Sequence, residues 1–138
     1  MSVMYRDRRD AGRVLAEILR PLATRDRLTV LGLPRGGVPV AYEVAMALGA
    51  PLDVFVVRKL GVPGYEELAM GAIATGGIRV LNSDVIRELG ISSDSVDRVT
   101  RDEERELIRR ELAYRGGRGA AEVRGKSVII VDDGLATG

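Results

Sequence analysis

Ser127-Val128-Ile129-Ile130-Val131-Asp132-Asp133-Gly134-Leu135-Ala136-Thr137-Gly138 decides how the rest of the chain is read. The apolar run from Val128 to Val131 predicts a strand buried on both faces, inside a parallel sheet. Two adjacent acids follow at its carboxyl end, which is where open α/β sheets bind ligands. Neighbouring carboxylates repel each other and lose solvation when buried. Asp132 and Asp133 therefore make sense facing a sugar diol or a hydrated cation. Ionised carboxylates are strong acceptors for hydroxyl donors. The bend beyond them, with Gly134, Thr137 and Gly138, can aim backbone N–H groups at one point. With a helix beginning there it would cradle a phosphate.

Upstream, the elements alternate. Asp7 and Asp10 read as a cap and a first-turn acid for an amphipathic helix over 8–20, with Val14, Leu15, Ile18 and Leu19 at helical spacing. Pro21 is expected to end it. Leu28 to Leu33 predicts a buried strand, broken by Pro34-Arg35-Gly36-Gly37. A second helix runs from Pro39 to Gly49, and Asp53 to Val57 predicts the next strand, so 28–57 has the length of a βαβ unit. From Lys59 to Gly77 the glycines predict a mobile loop, then one or two short edge strands, Leu68 to Ala74 and Ile78 to Leu81. Asn82 or Ser83 caps a short helix. Ser92 or Ser93 caps a longer one over 94–114, with an apolar stripe of Val96, Val99, Leu107, Ile108 and Leu112. Asp94/Arg98, Asp97/Arg101, Glu106/Arg110 and Glu111/Arg115 are acid-before-base pairs along it. The whole predicts an α/β fold, a mostly parallel sheet flanked by helices, in one domain of which 1–138 is expected to be the N-terminal and central part, incomplete at the C-terminus.

Composition removes several classes of chemistry. The 138 residues contain no Cys and no His, so thiol catalysis, disulfides, Ser-His triads and His-ligated metals are excluded. A net charge of +1 argues against a nucleic-acid partner. No apolar run approaches the ~20 residues of a membrane span, and the charged start is unlike a secretory signal. The expectation is a cytoplasmic protein with no membrane partner. A Walker-type nucleotide site is missing its Gly-Lys-Ser/Thr, and an Asp-nucleophile phosphatase would space its acids by one residue on the first strand.

The 128–138 run resembles the PRPP-binding motif (PRPP, 5-phosphoribosyl-1-diphosphate) of type I phosphoribosyltransferases: an apolar strand, two acids, a short variable pair and a Thr-Gly loop. The resemblance implies a Rossmann-like phosphoribosyltransferase fold. It implies that Asp132 and Asp133 hold the ribose hydroxyls, and that Gly134, Leu135, Ala136, Thr137 and Gly138 cradle the 5′-phosphate. Leu33-Pro34-Arg35-Gly36-Gly37 resembles the family's diphosphate loop, which often holds a cis bond at the position of Pro34–Arg35. By the same resemblance Arg35, Gly36, Gly37, Arg58 and Lys59 bind the diphosphate, with Arg35 and Lys59 acting catalytically, and Gly61 to Glu67 lies where the family carries a hood over the reaction; the alternative for this loop is a plain β-hairpin. The stretches Leu33 to Leu48 and Asp53 to Ala74 resemble a bacterial branch of the family, some of whose members are joined to hydrolase domains.

Phosphoribosyl transfer to a nitrogenous base, with Mg2+ on the substrate's oxygens and no direct protein ligand, is the implied function. A homodimer is the implied assembly. The alternative is a non-catalytic PRPP- or nucleotide-sensing regulator on the same fold. Two departures bear on the substrate. Gly134 stands where an apolar residue is usual, and Ala136 stands where 6-oxopurine enzymes carry an acid, which argues against such a purine and leaves no general base in the loop. Because the motif reaches Gly138 within the phosphate loop, the expectation is a shortened chain, weak in PRPP binding and turnover.

Overall fold

A computed structural model describes residues 4–24, 27–116 and 123–134. They fall into two compact units, Met1–Phe55 with Gly119–Gly138, and Val56–Arg118.

In the first unit, α1 (Arg8–Leu19) begins where the Asp7 carboxylate accepts the backbone N–H of Asp10 at 2.8 Å, the expected cap. As expected, the α-helix stops just before Pro21, with Arg20 as its C-cap, and a separate 3-10 turn, Arg20–Thr24, follows. β1 (Leu28–Gly32) is buried along its whole length. α2 (Gly37–Leu48) follows and stops at Gly49, which takes the left-handed conformation at φ 63°. β2 (Leu52–Val54) and β6 (Ser127–Val131) complete a parallel sheet in the order β2-β1-β6. Val40, Ala41, Val44, Ala45 and Leu48 of α2 pack on Leu28, Val30 and Val131, with Ala16 of α1 in the same cluster. α1 approaches α2 closely at Gly12, where a Cβ would stand 2.7 Å from that of Glu43.

β6 corrects one expectation. Among the described strands it is an edge, and only Val131 is fully buried, with Val128 and Ile130 exposed. Successive side chains point to opposite faces, and only the face turned to the helices is covered. Ile129 and Val131 belong to that face.

The second unit departs further from the sequence reading. The strand expected over 53–57 is divided. β2 ends at Val54, and β3 (Val57–Val62) pairs antiparallel with β4 (Tyr65–Ala74), which pairs with β5 (Ile78–Leu81). The expected mobile loop after Lys59 is therefore a paired hairpin, closed by Pro63 and Gly64 between the partners Val62 and Tyr65. Gly64 has φ 85°, which glycine adopts without strain. The alternative reading of this loop, a β-hairpin, is the one observed; the start of β4 was hidden because Tyr65 to Leu68 are exposed and carry no apolar alternation. Leu60, Val62, Met70 and Ile73 form the buried side.

α3 (Ser83–Glu88) is capped by Asn82, and α4 (Ser93–Arg115) by Ser92, whose hydroxyl accepts the N–H of Ser95 at 3.1 Å. The buried stripe of α4 runs through Val96, Thr100, Leu107 and Arg115. Ile108 and Leu112 lie one step off it and are exposed, contrary to expectation. Glu106–Arg110 and Glu111–Arg115 pair as expected, at 3.2 and 2.5 Å. Asp97 instead takes Arg79 of β5, at 3.1 Å. Among the described residues no helix is long and apolar enough to cross a membrane.

Candidate functional site

β1 and β6 run parallel with Gly32 opposite Val131, so both chains leave the sheet at the same edge. The Leu33 N–H donates to the Val131 carbonyl at 2.9 Å and extends the pairing by one residue. The loop 33–36 and the Asp132-Asp133-Gly134 segment therefore emerge side by side. β2 lies on the other flank of β1, and the carboxyl edge between β1 and β6 is where such a sheet opens a ligand crevice.

The loop after β1 folds tightly. Its Pro34–Arg35 peptide is cis, as the family resemblance implied. The Gly37 N–H donates to the Leu33 carbonyl at 2.9 Å, which turns the chain into α2. The absence of side chains here is a packing requirement. A Cβ on Gly37 would stand 2.7 Å from the Val131 carbonyl oxygen and 2.9 Å from Asp132 Cα. A Cβ on Gly36 would overlap the carboxylate of Asp133. Arg35, between the cis bond and these glycines, is exposed.

The two acids are held differently. Asp132 Oδ1 accepts the backbone N–H of Asp133 at 2.8 Å and lies near the first turn of α2, whose N-terminal dipole favours negative charge. Asp133 Oδ2 is taken by Arg8 of α1, which donates from Nη2 at 3.0 Å and from Nε at 3.4 Å. The Arg8 hydrogen bond is the largest influence on Asp133 and holds its carboxyl below the usual range. Beside the acids opens a cleft of about 400 Å3 whose walls include Tyr5, Leu15, Val40 and Ile130.

Of the residues singled out in the sequence, Arg35, Gly36, Gly37, Asp132, Asp133 and Gly134 come together at this edge. Leu135, Ala136, Thr137 and Gly138 lie outside the described residues. Arg58 and Lys59 belong to β3 in the second unit, where they line a cleft of about 650 Å3 with Ser95 and Arg98 of α4. The half-buried Arg58 guanidinium is bonded to Glu103 at 2.8 Å, whereas Lys59 is exposed and has no acidic partner among the described residues. Gly61 to Glu67, expected as a hood, is the hairpin turn and the start of β4. Sequence reasoning passed over Arg8. The only signal was the charged run Arg6-Asp7-Arg8-Arg9-Asp10 ahead of the first apolar residues, which a helix start explains equally well.

Comparison with known proteins agrees with this geometry. A family model described as "Phosphoribosyl transferase domain" matches residues 6–138. Proteins named "Putative phosphoribosyl transferase" from two strains of Mycobacterium tuberculosis are 53% identical over 135 residues, covering 98% of this chain and 30% of each relative. The crystal structure of TT1426 from Thermus thermophilus superposes with a TM-score of 0.79 at 44% identity, over 95% of this chain and 62% of that one. The chain thus spans less than a third of the curated relatives and under two thirds of the solved one. With the α/β fold, the paired loops at one sheet edge and the family model over nearly its full length, this chain belongs to the phosphoribosyltransferase domain family.

Proposed function

We propose that the domain binds PRPP with Mg2+ and transfers its phosphoribosyl group to a nitrogenous base. The observation that carries the reading is the contact of Gly36 and Gly37 with Asp133 and Asp132. It lets a diphosphate loop and a diol-binding acid pair share one ligand. Asp132 and Asp133 accept the ribose hydroxyls, and Gly134 to Gly138 receive the 5′-phosphate. Arg35, Gly36 and Gly37 meet the diphosphate, with Lys59 and Arg58 as further cations; Lys59 is the freer of the two.

The base nitrogen attacks ribose C1 as the bond from C1 to the diphosphate oxygen breaks. Positive charge develops on the sugar ring and negative charge on the leaving diphosphate. Arg35 and Lys59 stabilise the leaving group, and the acid pair fixes the sugar and favours the cationic ring. Asp132 and Asp133 are exposed oxygen donors, surroundings that suit a hard, hydrated cation. When bound on the substrate's oxygens, Mg2+ would neutralise charge on the diphosphate. This chemistry needs neither His nor Cys, and the chain has neither.

The test is a PRPP titration, with and without Mg2+, on the full-length protein, alongside Asp132→Asn and Asp133→Asn. Each substitution is expected to weaken binding by roughly tenfold or more, since a hydrogen bond to a charged group contributes about 1.5–3 kcal/mol. Unchanged binding in both variants would remove the ribose assignment. Diphosphate release with a panel of nucleobases then separates a transferase from a PRPP-sensing regulator, which binds without turnover.

A further inference from the structure

We propose that Arg8 is a positioning residue of the ligand site, holding the Asp133 carboxylate across the Gly36 turn so that it presents its other oxygen to the ligand. The inference rests on the proposed PRPP reading for its consequence, though not for its geometry. Arg8 and Asp133 are 125 residues apart in sequence, yet Nη2 and Nε of the guanidinium both reach Oδ2, at 3.0 and 3.4 Å. Both Arg8 donors go to Oδ2, so Oδ1 is the oxygen that the guanidinium leaves for a hydroxyl donor.

A carboxylate in this place needs such a partner. Asp133 is next to Asp132 and beside a loop read as the seat of a diphosphate, so like charges act on it from two directions. It is exposed, and a short flexible side chain in that field would turn away into solvent. Arg8 neutralises part of the repulsion and fixes the rotamer at once. The bonded carboxylate fills the space that a Cβ on Gly36 would occupy. One ion pair thus connects the first turn of α1, the loop after β1 and the end of β6.

The support under Arg8 is firm. α1 is capped by Asp7, and its Gly12 and Ala16 are buried against α2. Arg8 itself is largely exposed and contributes nothing to that packing, so the amino-terminal helix has two separable roles. Its inner face builds the core, and its first turn orients the acid. The charged groups around Asp133 are Arg8 from α1 and Asp132 from its own segment, with Arg35 in the adjoining loop. An arginine suits the role better than a lysine, because its planar fork can engage one oxygen with two donors.

The experiment combines a double-mutant cycle with a ligand-free readout on the chain used for PRPP titration. Arg8→Met is expected to weaken PRPP binding about tenfold, and Arg8→Lys about threefold. In an Asp133→Asn background Arg8→Met is expected to change binding by less than about twofold, because the shared interaction is already gone. Without ligand, carboxyl-carbon NMR should show Asp133 titrating below the ordinary carboxylate range in the parent. It should move up in Arg8→Met and lie between the two in Arg8→Lys. An Arg8→Met loss of the same size in the parent and in the Asp133→Asn background would overturn the proposal, as would an Asp133 titration indifferent to Arg8. If the parent binds no PRPP at all, the functional reading falls, and the NMR titration alone still decides whether Arg8 positions Asp133.

Discussion

Gly37 lies flush against Asp132, with the position of a missing Cβ only 2.9 Å from the Asp132 Cα. A helix start and a strand end therefore meet backbone to backbone, and nothing larger than hydrogen fits between them. Gly37→Ala should push the two segments apart. The expected cost is about 1–3 kcal/mol, as for other overpacked sites, with a loss of PRPP affinity beyond that of a surface mutation. Urea unfolding and PRPP titration of the same variant check both. An alanine variant with unchanged stability would show that the contact is slack.

Arg58 and Lys59 are adjacent in β3 but differently placed, and their substitutions should separate. Arg58 is engaged by Glu103 of α4, so Arg58→Ala should lower stability by about 1 kcal/mol, in the range of partly exposed ion pairs. Lys59→Ala should leave the melting curve in place while weakening PRPP binding severalfold. Thermal melts with ligand titrations distinguish the two. The reverse pattern would exchange their roles.

α4 has an acid-sensitive point. Glu106 is bonded by Arg109 and Arg110, which depress its carboxyl from 4.5 to about 2. A depressed acid stabilises the folded state above its unfolded pKa, and the contribution fades as pH falls through the folded value. Glu106→Gln should therefore reduce stability at neutral pH and converge with the parent as pH falls from about 4.5 towards 2. Melting curves across that range test it, and a constant offset at every pH would contradict it.

Thr29, in the middle of β1, is 1% exposed, and its hydroxyl has no partner among the described residues. Leaving a buried hydroxyl unpaired costs about 1–3 kcal/mol. Thr29→Val keeps the shape and removes that cost, so it should be neutral or stabilising by about 1 kcal/mol in urea unfolding. Clear destabilisation would mean that the hydroxyl is bonded in solution.

The residues of the proposed site form local patterns and were legible without coordinates. Asp132-Asp133 after an apolar strand, and Arg35-Gly36-Gly37 before a helix, are short-range patterns that the turns themselves display. The caps Asp7, Asn82 and Ser92 were legible for the same reason, since each acts within three residues of itself. The hairpin of β3 and β4 was legible only as an alternative to a mobile loop. Its pairing depends on partners across the ladder, and the exposed Tyr65 to Leu68 give no periodic signal. The exposure of Val128 and Ile130 was also hidden, because an apolar run does not say which of its faces is covered.

The sequence by itself determined the fold class, most of the helix boundaries and the two loops proposed to meet a phosphorylated sugar, because these follow from nearest neighbours along the chain. Only the tertiary structure decided that those loops touch, that Glu103 engages Arg58 and leaves Lys59 exposed, and that Arg8 reaches Asp133. Those contacts join residues far apart in sequence. Strand register and helix packing set them, and no local pattern encodes either.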